Sequence, residues 1–328
     1  MISNKFLVLI SVFILFSCSK PVKEEKITLE GAVFGTTYKI VYLNTSINYQ
    51  KSIDSLFLLM NTSLSTYIPS SDISRINSGD TTVVVDDLFL EVFKKSKRIH
   101  KETNGYFDPT VGNLVNAWGF GPKNEKRNLT ATELQELMQF VGLDFVKIVD
   151  RQVFKKEAKI YLDFNSIAKG FGIDVVARFL TRKKITNYLI EIGGEIRAKG
   201  TKNNNIPWLI KIVDPTNEGL LQKYKSINLS NKSMATSGNY RKYRFTENGQ
   251  KFVHTINPIT GQALESNLLS ASVIANLDCA DVDAYATAFM AMGLKKSKKF
   301  LQEHPLIDGV LLFIDDDGRL KEYSTINN

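Results

Sequence analysis

The sequence predicts an α+β fold: one domain of mostly antiparallel sheet with helices packed against it. Helical and strand-like segments are interleaved without the regular strand–helix–strand alternation that builds a parallel sheet. No internal repeat or low-complexity linker follows Lys26. With 328 residues, 43% apolar and 23% charged, the chain is long enough for one large core and has the balance of a globular protein.

Taken in order, Ile27 to Leu43 reads as strand, a turn at Gly35-Thr36-Thr37, and strand again, with alternation from Tyr38 to Tyr42. Ile53, Leu56, Phe57 and Met60 at helical spacing predict a helix from about Asn48 to Ser63. A polar loop, Ser65 to Asn77, precedes a helix from about Asp87 to Thr103. The loop Asn104 to Thr110 feeds a helix through Trp118 that stops at Gly119-Phe120-Gly121-Pro122. Thr130 and Glu133 form a capping box for a helix ending at Gly142. Phe145–Val149, Gln152–Lys156 and Lys159–Asp163 read as a three-stranded meander, and Asn165 caps a long helix to Leu180. Strands broken by Gly193-Gly194 and Gly200 fill Tyr188 to Val213, and more run from Ser226 to Ile256. After the turn Asn257 to Gly261 come a strand from about Ser270, an apolar helix from Leu277 closed by Gly293, and a basic helix from Lys295 to Glu303. The strand pair Gly309–Asp315 and Arg319–Ser324 ends the chain.

The N-terminus is of a different kind. Lys5 precedes an apolar run, Phe6 to Phe16 broken by Ser11, which ends at Ser17-Cys18. That run is too short for a transmembrane helix and has the length of a signal segment. Leu15-Phe16-Ser17-Cys18 resembles a lipobox, which implies a signal over residues 1–17, a lipidated Cys18, a polar tether over 18–26 and a folded domain over 27–328. An ordinary cleaved signal or short anchor is the alternative. With Cys18 lipidated, Cys279 has no partner for an intramolecular disulfide and reads as a small core residue. The formal charge of +8 comes from dispersed clusters: Lys94-Lys95, Arg182 to Lys184, Lys295 to Lys299. These are solvated helix faces, compatible with residence near anionic lipid, and not a nucleic-acid stripe.

Several stretches have the composition of a ligand cleft. Asp283 and Thr287 lie one turn apart on one face of the apolar helix, and no Lys or Arg occurs between Asp278 and Met292. A carboxylate and a hydroxyl so placed suit a hard cation such as Mg²⁺; the alternative is an Asp stabilised by the helix dipole. Asp281, two residues away, falls on a different face. Ala235-Thr236-Ser237-Gly238, between strands, reads as a loop able to cradle phosphate or as a simple turn. Ser166 to Gly170 opens a helix, where Lys169 adds a point charge to an anion site or is merely exposed. Gly193-Gly194 marks a bulge or a close approach by ligand. His254, ending a strand at a loop mouth, is the best general-base candidate of three histidines, His100 and His304 reading as surface residues. Tyr67, Tyr106, Phe107 and Trp118 are aromatic rings in or beside loops, available to stack or to pack. A Walker loop, a Gly-x-Ser-x-Gly elbow and zinc spacing are all absent.

In order, these stretches resemble the ApbE family of FAD:protein FMN transferases. The resemblance rests on Gly35 to Tyr38, Leu64 to Tyr67 with Ser74 to Asn77, Gly105 to Thr110, Asp163 with Ile167 to Gly170, Gly193-Gly194, Ala235 to Tyr240, His254 with Pro258 and Thr260-Gly261, and Asp283 to Thr287. It covers most of the mature chain and implies a single ApbE-like, T-fold-related domain. The departures are Glu191-Ile192 before the glycine pair, Asn257 before Pro258, and Val282 before Asp283.

The resemblance implies a Mg²⁺ held by Asp283, Thr287 and the Ala168 carbonyl, with His254 and Asp283 as catalytic residues. It implies FAD, as substrate, contacted by Tyr67, Phe107, Asp108, Lys169, Gly193, Gly194, Thr236, Ser237, Gly238 and His254. The implied reaction attaches FMN by a phosphoester to Thr or Ser of a target protein and releases AMP. Implied targets are extracytoplasmic subunits of respiratory complexes, of the Rnf or Na⁺-translocating quinone reductase type. With lipid on Cys18, the protein would face the periplasm from a bacterial membrane. Two alternatives share the cleft: an FAD pyrophosphatase giving FMN and AMP, and a non-enzymatic FAD-binding lipoprotein.

Overall fold

The structure, a computed structural model, describes residues 25–122, 128–202, 205–216, 222–239, 243–245, 251–263 and 266–326. The leader, Cys18, most of the tether, and Tyr240 lie outside them. Strands β1 (Lys26–Val33) and β2 (Thr36–Leu43) form a hairpin. Helices α1 (Gln50–Leu64), α2 (Asp72–Asn77), α3 (Asp87–Glu102), α4 (Gly112–Ala117) and α5 (Ala131–Met138) follow. Then come the hairpin β3 (Val146–Val149) and β4 (Gln152–Lys155), helix α6 (Ala168–Arg182), and strands β5 (Tyr188–Ile192) and β6 (Glu195–Lys199). The remaining elements are β7 (Trp208–Val213), β8 (Lys223–Leu229), β9 (Lys232–Gly238), β10 (Tyr243–Phe245), β11 (Lys251–Val253), β12 (Leu268–Ala275), α7 (Cys279–Glu303), β13 (Ile307–Ile314) and β14 (Leu320–Ser324).

Eight strands form one sheet in the order β1-β2-β5-β6-β9-β12-β13-β14, every neighbouring pair antiparallel, as expected of the α+β class. Successive side chains point to opposite faces. Ile40 and Tyr42 of β2 therefore enter the main core with α1, α3, α6 and α7, while Val41 and Leu43 enter a smaller core under the hairpin β7–β8. A third apolar cluster joins Leu114 and Trp118 to Phe252, Ile256 and Ala263.

Four expectations are corrected. Lys159–Asp163 forms no third meander strand; Tyr161 makes a single parallel bridge with Val111. Asn165 is not a helix cap: α6 starts at Ala168, and the Asn165 amide donates to Thr66 Oγ1 at 3.3 Å. Ala235 to Gly238 lies within β9, paired with β12, and not in a loop. Lys95 is not solvated but bridges Asp278 (2.8 Å) and Asp281 (3.1 Å). Other features hold: the Thr130–Glu133 capping box forms, Cys279 is a buried free thiol, and Gly293 breaks α7 with φ 74° and ψ 175°.

The helices of the candidate site meet where α6 crosses the start of α7. A Cβ on Gly170 would lie 2.4 Å from the Cys279 carbonyl oxygen and 2.7 Å from Ala280 N, both backbone atoms that cannot swing aside. One turn along α6, the Asp174 carboxylate accepts from Cys279 N at 2.8 Å and Ala280 N at 2.9 Å, capping α7 from another helix. Burial, with the nearby Asp278 charge, pushes Asp174 up to about 6, although Arg197 pairs with it. The residue at the N-cap position, Asp278, makes no cap bond; its carboxylate is held by Lys95 and by Arg197, each at 2.8 Å.

The Gly170→Ala substitution is expected to lower folding stability by on the order of 3 kcal/mol, because overpacking against backbone must push the helices apart. Chemical denaturation measures this; a change below about 0.5 kcal/mol, the scale of ordinary surface substitutions, would contradict the close crossing.

Candidate functional site

Below this crossing, α6 and α7 bring together a small set of polar groups. Asp283, 1% exposed, lies one turn into α7, and its Oδ2 accepts from Gly170 N at 3.0 Å. From α6, Lys169 sends Nζ to Glu195 Oε1 at 3.0 Å and to Asp283 Oδ1 at 3.8 Å. Glu195 starts β6 directly after the Gly193-Gly194 turn and is 2% exposed. Burial is the main cause that pushes Asp283 up to about 7; Lys169 and the Gly170 bond pull it down, and Glu195 and Asp174 push it further up. Two buried carboxylates thus share one ammonium, and Glu195 Oε2 has no hydrogen-bond partner among the described residues.

A charge deficit of that kind, bounded by oxygen donors, fits a hard divalent cation such as Mg²⁺. Thr287 is half-buried one turn beyond Asp283, with its Oγ1 3.3 Å from Ser237 Oγ of β9. Ala168 opens α6 two residues before Gly170. The Asp283 carboxylate and the Thr287 hydroxyl are the oxygen donors that α7 offers there. Asp281, as expected, faces elsewhere and pairs with Lys95 and Arg98.

The glycine pair closes the site on the sheet side. Gly193 and Gly194 have φ of 64° and 101°, a region that disfavours side chains. A Cβ on Gly193 would also come within 2.9 Å of Thr36 Cγ2 and 3.3 Å of Lys169 Cδ. The β1–β2 turn, the β5–β6 turn and the end of β9 therefore lie at the same end of the sheet as Lys169 and Asp283.

Tyr67 is 56% exposed on the loop between α1 and α2. Its loop is tied down: Ser71 Oγ and Ser74 Oγ both donate to the Ser65 carbonyl, at 2.6 and 3.2 Å. Asn77 exchanges hydrogen bonds with the Leu162 backbone, both at 2.8 Å, and Asp163 Oδ1 accepts from Asn165 N at 2.8 Å. These polar residues fix the Tyr67 loop to the segment that leads into α6. His254 is half-buried and follows β11 directly. The loop after it is anchored twice: Asn257 Nδ2 donates to the Ala291 carbonyl at 3.2 Å, and Trp118 Nε1 donates to the Gly261 carbonyl at 2.8 Å. Ala291 lies one turn beyond Thr287, so the His254 loop docks on the same part of α7.

Three expected ligand contacts are not brought to this cleft. Phe107 is 1% exposed and packs in the main core. Asp108 is a buried latch that accepts from Thr110 N (2.8 Å), Thr110 Oγ1 (2.5 Å) and Leu143 N (3.0 Å). Thr236 alternates with Ser237 along β9 and bonds Ser272 Oγ at 2.7 Å, on the face of Met234 and Ile274 away from α7. His100 is no surface residue: its Nδ1 lies 2.9 Å from the Phe107 carbonyl and 3.4 Å from Asp108. Trp118 likewise is buried, in the third cluster.

The sequence model of the ApbE family matches residues 34–311 of this chain. The chain belongs to the ApbE family. It is 34% identical to the FAD:protein FMN transferase of Vibrio cholerae over 331 residues, covering 98% of this chain and 97% of that protein. Identity to the Haemophilus influenzae FAD:protein FMN transferase is 36% over 318 residues, 93% of this chain and 90% of that one. The solved structure of flavin transferase ApbE from Vibrio cholerae superposes with a TM-score of 0.81 at 33% identity, covering 92% of this chain and 97% of that one.

In this ApbE-family chain, sequence reasoning missed Glu195 and Asp174 as parts of the site, and it placed Gly170 in a candidate loop without its role in the helix crossing. Their signals were present. Glu195 directly follows a glycine pair at the start of a strand, and Gly170 and Asp174 sit one turn apart on one helix face.

Asp163 gives the cleft a pH signature. Burial raises its carboxyl from 3.8 to about 6, against the Asn165 bond. The native state thus keeps a proton that the unfolded chain releases, so this contribution to stability is full below pH 4 and is lost as pH rises through 6. Asp163→Asn keeps an acceptor for Asn165 and cannot ionise. Its stability is expected to exceed the parent's by about 3 kcal/mol at pH 8 and to converge with it near pH 4. Denaturation at several pH values tests this; a difference independent of pH would refute it.

Proposed function

We propose that this protein transfers FMN from FAD to a threonine or serine hydroxyl of a target protein, releasing AMP, with Mg²⁺ at the Asp283 site. The observation that carries the reading is the buried pair Asp283 and Glu195 sharing Lys169, with Thr287 one turn away. The FAD:protein FMN transferases named above support the substrate and the reaction. Asp283, Thr287 and the Ala168 carbonyl would hold the metal. When bound, Mg²⁺ neutralises charge on the FAD pyrophosphate.

The chain's own groups supply placement. Lys169 directs an ammonium toward the phosphates, and Gly193-Gly194 lets backbone approach them without a side chain in the way. The Ser237 hydroxyl and Gly238, at the end of β9, line the same wall. The exposed Tyr67 ring offers a face to a planar part of FAD. His254 takes the proton of the acceptor hydroxyl as its oxygen bonds to the FMN phosphorus. The bond from that phosphorus to the bridging oxygen breaks, and AMP leaves with the electron pair. Catalysis of this kind is positioning and charge stabilisation.

The lipobox-like Leu15 to Cys18 supports a lipid anchor on the extracytoplasmic side. In that compartment, the proposed acceptors are flavoprotein subunits of the Rnf or Na⁺-translocating quinone reductase type.

Incubation with FAD, Mg²⁺ and such an acceptor is expected to add the mass of FMN to the acceptor and release AMP. Asp283→Ala is expected to lower the rate on the order of a thousand-fold while remaining folded by circular dichroism, and chelation of the parent should do the same. AMP release with no acceptor mass gain would assign hydrolysis instead. Full activity of Asp283→Ala would place the metal elsewhere.

A further inference from the structure

The flavin cleft occupies only one end of the sheet, and the opposite end carries a second cavity, of about 490 Å³. Its lining includes five charged side chains, and all are cationic: Arg178, Arg182, Arg197, Lys199 and Lys232. Three are already paired with carboxylates behind the wall. Arg178 meets Glu91 at 2.6 Å, Arg197 meets Asp174 and Asp278, and Lys232 meets Asp308 at 2.9 Å. Arg182 and Lys199 meet no carboxylate among the described residues; Lys199 Nζ only donates to Thr181 Oγ1 at 3.3 Å. Lys183 and Lys184, both exposed, continue the positive charge past the end of α6. The rim thus holds uncompensated cations around a space large enough for a phosphate group.

The register shows what lies beside this cavity. Ile27 pairs with Tyr42, Tyr42 with Tyr188, and Tyr188 with Lys199, so the second residue of β1 and Lys199 lie on one row at the end of the sheet. They are three strands apart, roughly 14 Å. The chain is fixed there by Asn44 N, which donates to the Glu25 carbonyl at 2.8 Å. From Glu25 back to Cys18 is a reach of at most roughly 24 Å. Glu195, in the flavin cleft, is four residues from Lys199, roughly 13 Å along β6. A lipid on Cys18 would therefore keep the cationic end within reach of the membrane, and the patch itself would set the orientation.

The geometry points to this cavity as a docking site for the phosphate headgroup of an anionic phospholipid, with Arg182 and Lys199 as its principal contacts. Anchor and patch then act as two membrane signals at one end of the molecule, a single chain giving only reversible attachment. The flavin cleft opens at the far end, away from the lipid surface. The inference draws on the proposed anchor at Cys18 and not on flavin transfer.

The test uses the chain from Ser19, which keeps every described residue and carries no lipid, so that patch and anchor are separated. Sedimentation with vesicles of one part phosphatidylglycerol to three parts phosphatidylcholine is expected to remove the protein, and pure phosphatidylcholine vesicles are not. R182E/K199E should weaken the partition about ten-fold or more. K295E/K299E, which changes net charge equally on the second half of α7, should weaken it by less than about two-fold. Melting temperatures of both variants show whether they fold; R182Q/K199Q replaces a misfolded reversal and should give a smaller loss of the same kind. Equal losses in the two reversals, or no binding to the anionic vesicles, would overturn the proposal. Tight binding of inorganic phosphate in the absence of vesicles, lost in R182E/K199E, would assign the cavity to a free anion instead.

Discussion

The site depends on the contact between α6 and α7 at Gly170. That crossing is tight enough to exclude a methyl group, and it lets one helix do the capping work of the other. A helix start leaves backbone N–H groups without partners, and a local Ser, Thr, Asp or Asn usually meets them. Here the local candidate, Asp278, is turned outward to Lys95 and Arg197, and Asp174 reaches across from α6. A cap on a neighbouring element fixes the two helices in rotation as well as distance. The Gly170 N–H bond to Asp283 follows from that fixed geometry, as does the placement of Ala168 two residues earlier.

Electrostatics then explains why the arrangement is poised for a ligand. Burying a carboxylate is costly unless a partner compensates it. Asp283, Glu195 and Asp174 are all buried within this small region, while Lys169 and Arg197 are the cations that meet them. The fold therefore retains negative charge it does not neutralise, at the end where the glycine pair turns. Lys169 is shared between both carboxylates, so an added cation at Asp283 would free it to face the phosphates of a nucleotide. The same stored charge that would attract a metal also positions the lysine.

Most of the scaffold was legible from local pattern. Alternation in Tyr38 to Tyr42, helical spacing in Ile53 to Met60, and the Thr130–Glu133 capping box are short-range signals, and each formed as expected. Failures occurred where tertiary pairing overrode local character. Small hydroxyl residues and a glycine made Ala235 to Gly238 look like a loop, yet pairing with β12 makes it a strand. That strand's alternation then sends Thr236 and Ser237 to opposite faces. Phe107 and Asp108 sit in a motif shared with the family, but their work is structural: one fills the core and the other ties down Thr110 and Leu143. Position in a motif did not distinguish holding a cleft from lining it, because that depends on which way a side chain points after folding.

One strand shows how far the residue pattern reaches. In β6, Ile196 and Ala198 point into the core under the β7–β8 hairpin, so Glu195, Arg197 and Lys199 face the helices together. A central strand covered on both faces is normally apolar throughout. Charge at every second position therefore demands a partner for each. Glu195 finds Lys169 at the flavin end, Arg197 finds Asp174 and Asp278 under the crossing, and Lys199 reaches only a hydroxyl at the far end. The helix-facing charges thus run from negative to positive along a single strand. The negative end suits a metal, the middle secures the helix crossing, and the positive end is left for an anion from outside the chain.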